Sequence, residues 1–206
     1  MDKRKITRKY RAILRTKLNR VNRSRLKNSE FTILSSNCVG GAILHELGQK
    51  FDTPTINLYF SAHDFVRFVG KLDYYLNCKL TKISSKYSYP MAKLDDLTLH
   101  MVHYHSFEEA VQKWEERKSR IHFNNLYVLM VDRDGCTYDD ALAFDALPYK
   151  HKVFLTYKKC PEIKSATCIP DSEENGQIMD ICKYKSKWTG RRWLDDFDYV
   201  GFLNCR

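Results

Sequence analysis

The strongest constraint on this chain is a six-residue run, Leu126–Val131 (LYVLMV), that contains almost no polar atom outside its backbone. A strand with one face in water alternates apolar and polar residues. A run without alternation reads as a strand buried on both faces, the pattern of a parallel sheet covered by helices. The segments around it alternate in the same sense. Phe31–Ser35 reads as a strand, and after the Ser36-Asn37 turn an apolar-periodic helix covers Ala42–Leu47 and ends at Gly48. Thr55–Phe60 reads as a strand and Ala62–Leu76 as a helix with Phe65, Phe68, Val69, Leu72 and Leu76 on one face. Leu80–Ser84 and Leu97–Tyr104 read as strands. Ser106 with Glu109 forms a capping box that opens a helix to about Arg120. Asp139–Asp145 follows as a short helix, and Lys152–Tyr157 as a strand. Residues 158–177 read as loop, and a last helix is expected around Ile178–Tyr184 or later, before Asp198–Asn204. The fold class is therefore α/β, a layered sheet of about six or seven strands flanked by helices.

Charge is concentrated at one end. Of 35 basic and 25 acidic residues, residues 1–28 hold 12 basic and one acidic. The other 23 basic residues meet 24 acidic ones, so the +10 of the whole chain belongs to its first 28 residues. Ile6, Tyr10, Ile13, Leu14, Leu18 and Val21 follow one helical stripe there, and no Gly or Pro interrupts it. The organisation expected is a basic amphipathic helical arm, 1–28, and a single α/β domain, 29–206. Such a helix suits an anionic membrane surface. The same pattern also fits a helix packing its stripe on its own domain. Nucleic acid is the least favoured partner, because the arm has no aromatic interleaving beyond Tyr10. No run of about 18 apolar residues or leader-like h-region is visible, so a cytoplasmic protein, peripheral at the inner membrane face, is the expectation. The seven cysteines are expected as free thiols, with no zinc-ligand spacing.

Sites in α/β sheets gather at the carboxyl ends of strands. Three polar clusters fall at such ends: Ser35–Cys38, His103–Ser106 and Asp132–Gly135. Cys38, at a helix N-terminus, is the candidate nucleophile, since the helix dipole there favours a thiolate. His103 or His105 would serve as its base, and Asp132 or Asp134 would orient the imidazole or bind a cation. Asn37, Gly40 and Gly41 could present backbone N–H groups to an anion. Cys38 as a small buried residue in a packed turn is the alternative. A His103/His105 metal pair is geometrically open, but no metal ligand is assigned and no cofactor is named. The Val131–Thr137 segment (VDRDGCT) resembles the phosphotransfer loop of haloacid-dehalogenase phosphatases. Cys136 interrupts that motif, and the roughly 70 residues that follow are too few for that family's core.

Five runs taken together resemble a bacterial family known as domain of unknown function 1919. They are S-S-N-C-V-G-G from Ser35, L-Y-F-S-A-H-D-F-V-R-F from Leu58, and H-Y-H-S-F-E-E-A-V-Q-K-W-E-E-R-K-S-R-I from His103. V-D-R-D-G-C-T from Val131 and F-D-A-L-P-Y-K-H-K-V-F from Phe144 complete the set. The resemblance covers about residues 30–205, with the arm outside it. Ser36 stands where the family pattern has a second Asn. The family's H-Y-x-S-F element falls on His103, Tyr104, Ser106 and Phe107, which favours His103 over His105. Trp114, Arg117, Arg120 and Asn125 match later elements. Members are commonly labelled exopolysaccharide or capsule biosynthesis proteins, which implies a surface-polysaccharide or lipid-linked sugar substrate but no reaction. Two functions are carried forward. One is a cysteine-dependent group transferase or hydrolase using Cys38, His103, Asp132 and Asp134, with Tyr104, Arg117 and Arg120 holding ligand. The other is a non-catalytic sugar-binding or accessory protein docked at the membrane, with a pocket lined by Tyr59, Tyr104 and Trp114.

Overall fold

The computed structural model describes residues 3–205. Its elements in chain order begin with α1 (Lys3–Arg25), β1 (Thr32–Ser35), α2 (Val39–Leu47), β2 (Tyr59–Phe60), α3 (Ala62–Gly70) and α4 (Leu72–Asn77). Next come β3 (Leu80–Ile83), β4 (Met91–Leu94), β5 (Leu97–His100), α5 (Phe107–Lys118), β6 (Leu126–Val131) and α6 (Tyr138–Asp145). Last are β7 (His151–Thr156), β8 (Ala166–Cys168), β9 (Glu173–Glu174), β10 (Gln177–Ile178), a 3-10 turn (Trp193–Asp196) and α7 (Tyr199–Asn204). The fold is mixed α/β, with two four-stranded sheets and a two-stranded antiparallel pair, β9 with β10. A parallel sheet has the order β1-β6-β7-β8, and an antiparallel sheet has the order β2-β5-β4-β3.

β6 is buried on both faces, as its unbroken apolar run requires. Val128 and Met130 pack into a core shared with the antiparallel sheet, α3, α5 and α6. Tyr127, Leu129 and Val131 pack into a second core with α2, the 3-10 turn and α7. The neighbouring strands split the same way: Leu34 and Phe154 face the first core, and Ile33, Val153 and Leu155 the second. At about 25 cal/mol per Å² of apolar surface, this two-sided burial is the principal stabilising term for the parallel sheet.

Several boundaries differ from the sequence reading. The helix expected over Ala62–Leu76 breaks after Gly70, where Lys71 leaves helical geometry at φ −133° and ψ 47°. The helix expected around Ile178–Tyr184 is absent. That segment instead runs from β10 into turns, and Tyr184 bridges Arg192 in antiparallel fashion. The 158–177 loop contains β8, which joins the parallel sheet as its edge strand. The Ser106 cap forms as expected, with its hydroxyl accepting from Glu109 N at 3.0 Å. The Glu109 carboxylate reaches one residue further back and accepts from His105 N.

The arm is docked on the body by its polar face. Arg15 is buried and pairs with Glu46, on α2, and with Asp195 at 2.6 Å. Arg192 Nε approaches Glu46 from the other side at 3.0 Å. Asn22 donates to Tyr199 Oη, and Arg23 Nε donates to the Glu46 carbonyl. Among the described residues no helix is long and apolar enough to cross a membrane.

Candidate functional site

Three chain segments converge beyond the carboxyl ends of β1 and β6. Ser36 links them first. Its amide donates to Leu129 O, its hydroxyl accepts from Val131 N, and its carbonyl accepts from Phe60 N. The last bond sets the start of the antiparallel sheet against the end of the parallel one. His103 N donates to Asn57 O at 3.2 Å, so the turn beyond β5 is drawn to the same place. The result is a cavity of about 410 Å³ lined by Asn37, Cys38, Tyr59, His103, Arg133, Asp134, Asp180 and Cys182 together with apolar side chains. Its position outside the carboxyl ends of parallel strands is where sites form in open α/β sheets. A larger depression of about 900 Å³ lies at the opposite ends of β6 and β7, around Asn28, Asn125 and His151.

The glycines serve packing. A Cβ on Gly40 would lie 2.6 Å from Ser35 Cβ, so only glycine lets α2 cross β1 this closely. One on Gly41 would meet Ile56 Cδ1 at 3.2 Å. Neither lines the cavity. Cys38 is the N-cap residue of α2, and its Sγ lies 3.9 Å from Leu58 O. Asn37 receives the Val39 amide at 3.2 Å and donates to the Asp134 carboxylate at 3.3 Å. Asp134 holds a left-handed backbone at φ 59°, followed by Gly135 at φ 80°. That tight reversal returns its side chain over the end of β6.

The electrostatics differ from the expectation for a helix N-terminus. Burial, and then the carboxylates of Asp134 and Asp180, push the Cys38 thiol up to about 11. Cys182 is likewise raised to about 11, by burial first and then by Asp180. Burial also raises Asp134, against the opposing pull of Asn37 and Arg133. Cys38 at neutral pH is therefore held as a thiol, by desolvation first and by the two carboxylates beside it.

The family described as Domain of unknown function (DUF1919) matches residues 9–204. The chain belongs to DUF1919. A Haemophilus influenzae protein described only as uncharacterized is 45% identical over 187 residues, which cover 91% of this chain and 90% of that protein. The DUF1919 match begins at residue 9, inside α1, so most of the arm lies within the family region instead of outside it.

In this DUF1919 fold the residues singled out from sequence fall into three groups. Cys38, His103, Asp134 and Asn37 line one cavity. Asp132 does not line it. Its carboxylate accepts from Thr156 Oγ1 at 2.7 Å and faces a separate cavity of about 70 Å³ with Cys136, Lys158 and Cys160. Tyr104, Arg117 and Arg120 are engaged elsewhere. Arg117, buried, donates to Tyr104 Oη at 2.7 Å, and Tyr104 donates to Ile56 O. Arg120 meets Asp52, Glu116 and the Phe51 carbonyl. Asn125 ties Asn28 and Glu30 to the start of β6. Of the aromatic residues expected in a ligand pocket, Tyr59 lines the cavity, while Tyr104 and Trp114 are in the core. Asp180 and Cys182 are additions that the sequence reading placed on a helix. Nothing local marks them, because they reach the cavity through long-range bonds: Ile178 N donates to Asp132 O at 3.0 Å and Arg133 donates to Ile178 O at 3.2 Å, which sets β10 and the turns that follow beside the end of β6.

Proposed function

We propose that the Cys38 cavity is the active site of a cysteine-dependent group transferase or hydrolase of cell-surface polysaccharide assembly, working at the cytoplasmic membrane face. The observation that carries this reading is the meeting of Cys38, His103 and Asp134 in one cavity from three separate strand ends. A thiol held neutral needs a base at the moment of attack, and an imidazole in the same cavity can serve as one. His103 takes the Cys38 proton as Sγ bonds to the carbonyl carbon of an acyl group carried on a sugar hydroxyl. The C–O ester bond breaks, and the departing oxygen receives that proton. His103 then takes a proton from water or an acceptor hydroxyl as the water or hydroxyl oxygen bonds to the thioester carbon, the C–S bond breaks, and that proton passes to the Cys38 sulfur. Asn37 and Asp134, bonded to each other, frame the cavity next to the thiol and can orient the imidazole or a sugar hydroxyl. The polysaccharide context comes from the family resemblance. Measuring the pH-dependence of Cys38 alkylation tests the mechanism. Loss of one labelling step in His103→Ala supports the dyad, and an unchanged profile removes His103 from it.

One observation favours a second reading. A thiol raised to about 11 beside two carboxylates is also what a non-catalytic polar pocket for a sugar would contain. Acyl-ester turnover that survives in Cys38→Ala would favour that reading.

A further inference from the structure

The docking of α1 by its polar face leaves most of its apolar stripe open, with only Leu14 and Leu18 partly covered. Tyr10, Ile13 and Val21 are 49%, 57% and 56% exposed. Leu14 and Leu18, half-buried, floor a shallow apolar groove of about 330 Å³ whose far wall is Trp188, Thr189 and Gly190. Trp188 is 69% exposed. Its position is built into the fold. Tyr184 and Arg192 pair in antiparallel fashion, and Lys185 N donates to Arg191 O. The Ser186 hydroxyl then accepts from the amides of Trp188 and Thr189. Gly190 lies against the helix backbone so closely that a Cβ would sit 2.6 Å from Arg15 N, and its carbonyl accepts from Arg15. The loop tip is therefore pinned to α1, and an indole stands beside an apolar helix stripe on one surface.

The hairpin is basic, and cations beyond those paired with body carboxylates remain on this surface. Residues 183–193 carry five basic residues and no acid. Arg15, Arg25, Lys185, Arg191 and Arg192 are used in ion pairs with the body. Lys9, Lys17, Arg20 and Lys187 make no ion pair among the described residues. Lys9 and Arg20 are three helical turns apart on one edge of the stripe, and Lys17 lies within it.

We propose that the outer face of α1 and the 184–192 hairpin together form a docking surface for an anionic lipid bilayer. The indole and the stripe enter the headgroup boundary, while Lys9, Arg20 and Lys187 meet lipid phosphates and Lys17 extends its ammonium to them. A nucleic acid would use the cations but would leave the apolar stripe and indole unsatisfied. The surface extends the membrane-face part of the function proposed above and is independent of Cys38 chemistry. A chain that binds vesicles while carrying an inert Cys38 separates the two.

The test is sedimentation of the full chain with phosphatidylcholine vesicles and with vesicles containing phosphatidylglycerol. Binding is expected only with the anionic lipid and should weaken as salt rises. Trp188→Ser and Tyr10→Ser should each lower partitioning roughly tenfold. Lys9→Gln, Lys17→Gln and Arg20→Gln together should lower it on the order of a hundredfold. All are surface changes, and circular dichroism confirms that each variant is folded. Lipid-induced blue shift of tryptophan emission should be largely lost in Trp188→Ser, because Trp114 is already in the core and Trp193 is partly buried against the second one. Equal binding to neutral vesicles, or binding unaffected by Trp188→Ser and Tyr10→Ser, overturns the proposal. So does a dimer that hides Trp188, or duplex DNA that binds more tightly and is lost in the same variants.

Discussion

Asn37 Nδ2 donates to the Asp134 carboxylate at 3.3 Å, joining the turn after β1 to the turn after β6 across 97 residues of chain. The bond sits beside Cys38, so the charge on Asp134 is felt by the thiol. Asp134→Asn keeps a hydrogen-bond partner for Asn37 and tolerates the left-handed backbone. It removes one of the two carboxylates that raise Cys38, after burial, to about 11. The alkylation profile of Cys38 should move to lower pH. An unmoved profile would mean that the Asp134 charge does not act on the thiol.

The same variant has a signature in stability. Burial raises the folded Asp134 carboxyl above its ordinary value. The folded state then binds more protons than the unfolded state between the two values. Stability contributed by the neutral carboxyl is complete below the ordinary carboxylate range and is lost as pH rises to the raised folded value. Asp134→Asn should therefore match the parent in acid, gain an advantage through that window and hold it at neutral pH. Denaturant unfolding at a series of pH values measures it.

Asp140 has the opposite sign. Burial would raise it, but the Thr137 hydroxyl and amide and the His63 ring outweigh burial and hold it low. Its carboxylate closes the capping box of α6, accepting from Thr137 Oγ1 at 2.7 Å and from Thr137 N at 3.0 Å. Asp140→Ala should cost about 1 kcal/mol at neutral pH. The penalty should shrink as pH falls through the carboxylate range and the parent loses the same charge. Thermal melts at neutral and acid pH compare the two.

Gly40→Ala should destabilise by about 1–3 kcal/mol, since the new methyl would lie 2.6 Å from Ser35 Cβ in a packed turn. Gly41→Ala meets only the far end of Ile56 at 3.2 Å and should cost less. A Gly40→Ala protein of parental stability would show that α2 can shift off β1.

Arg15→Met should cost roughly 3–5 kcal/mol, because Glu46 and Asp195 remain in place with part of their partner charge removed. α1 should become the first site of limited proteolysis. Parental stability, with α1 as resistant to cleavage as before, would show that Leu14 and Leu18 hold the arm without the ion pairs.

The sequence by itself determined the α/β class and the central strand. An apolar run such as Leu126–Val131 has no solvent face, so its burial follows from composition alone. It also determined that one helix follows the Ser36-Asn37 turn and another the Ser106 cap, where the turn or cap chemistry is local, and it named Cys38, His103 and Asp134 as chemical groups at strand ends. Only the tertiary structure decided which of these meet. Asp132 and Asp134 are two residues apart, yet a left-handed backbone at Asp134 sends one into the Cys38 cavity and leaves the other bonded to Thr156. Asp180 and Cys182 arrive through long-range pairing that no local pattern encodes. The arm shows the same division. Its stripe and its charge were legible, but the face that docks was decided by one buried arginine, because Glu46 and Asp195 offer Arg15 a paired site that no local segment supplies.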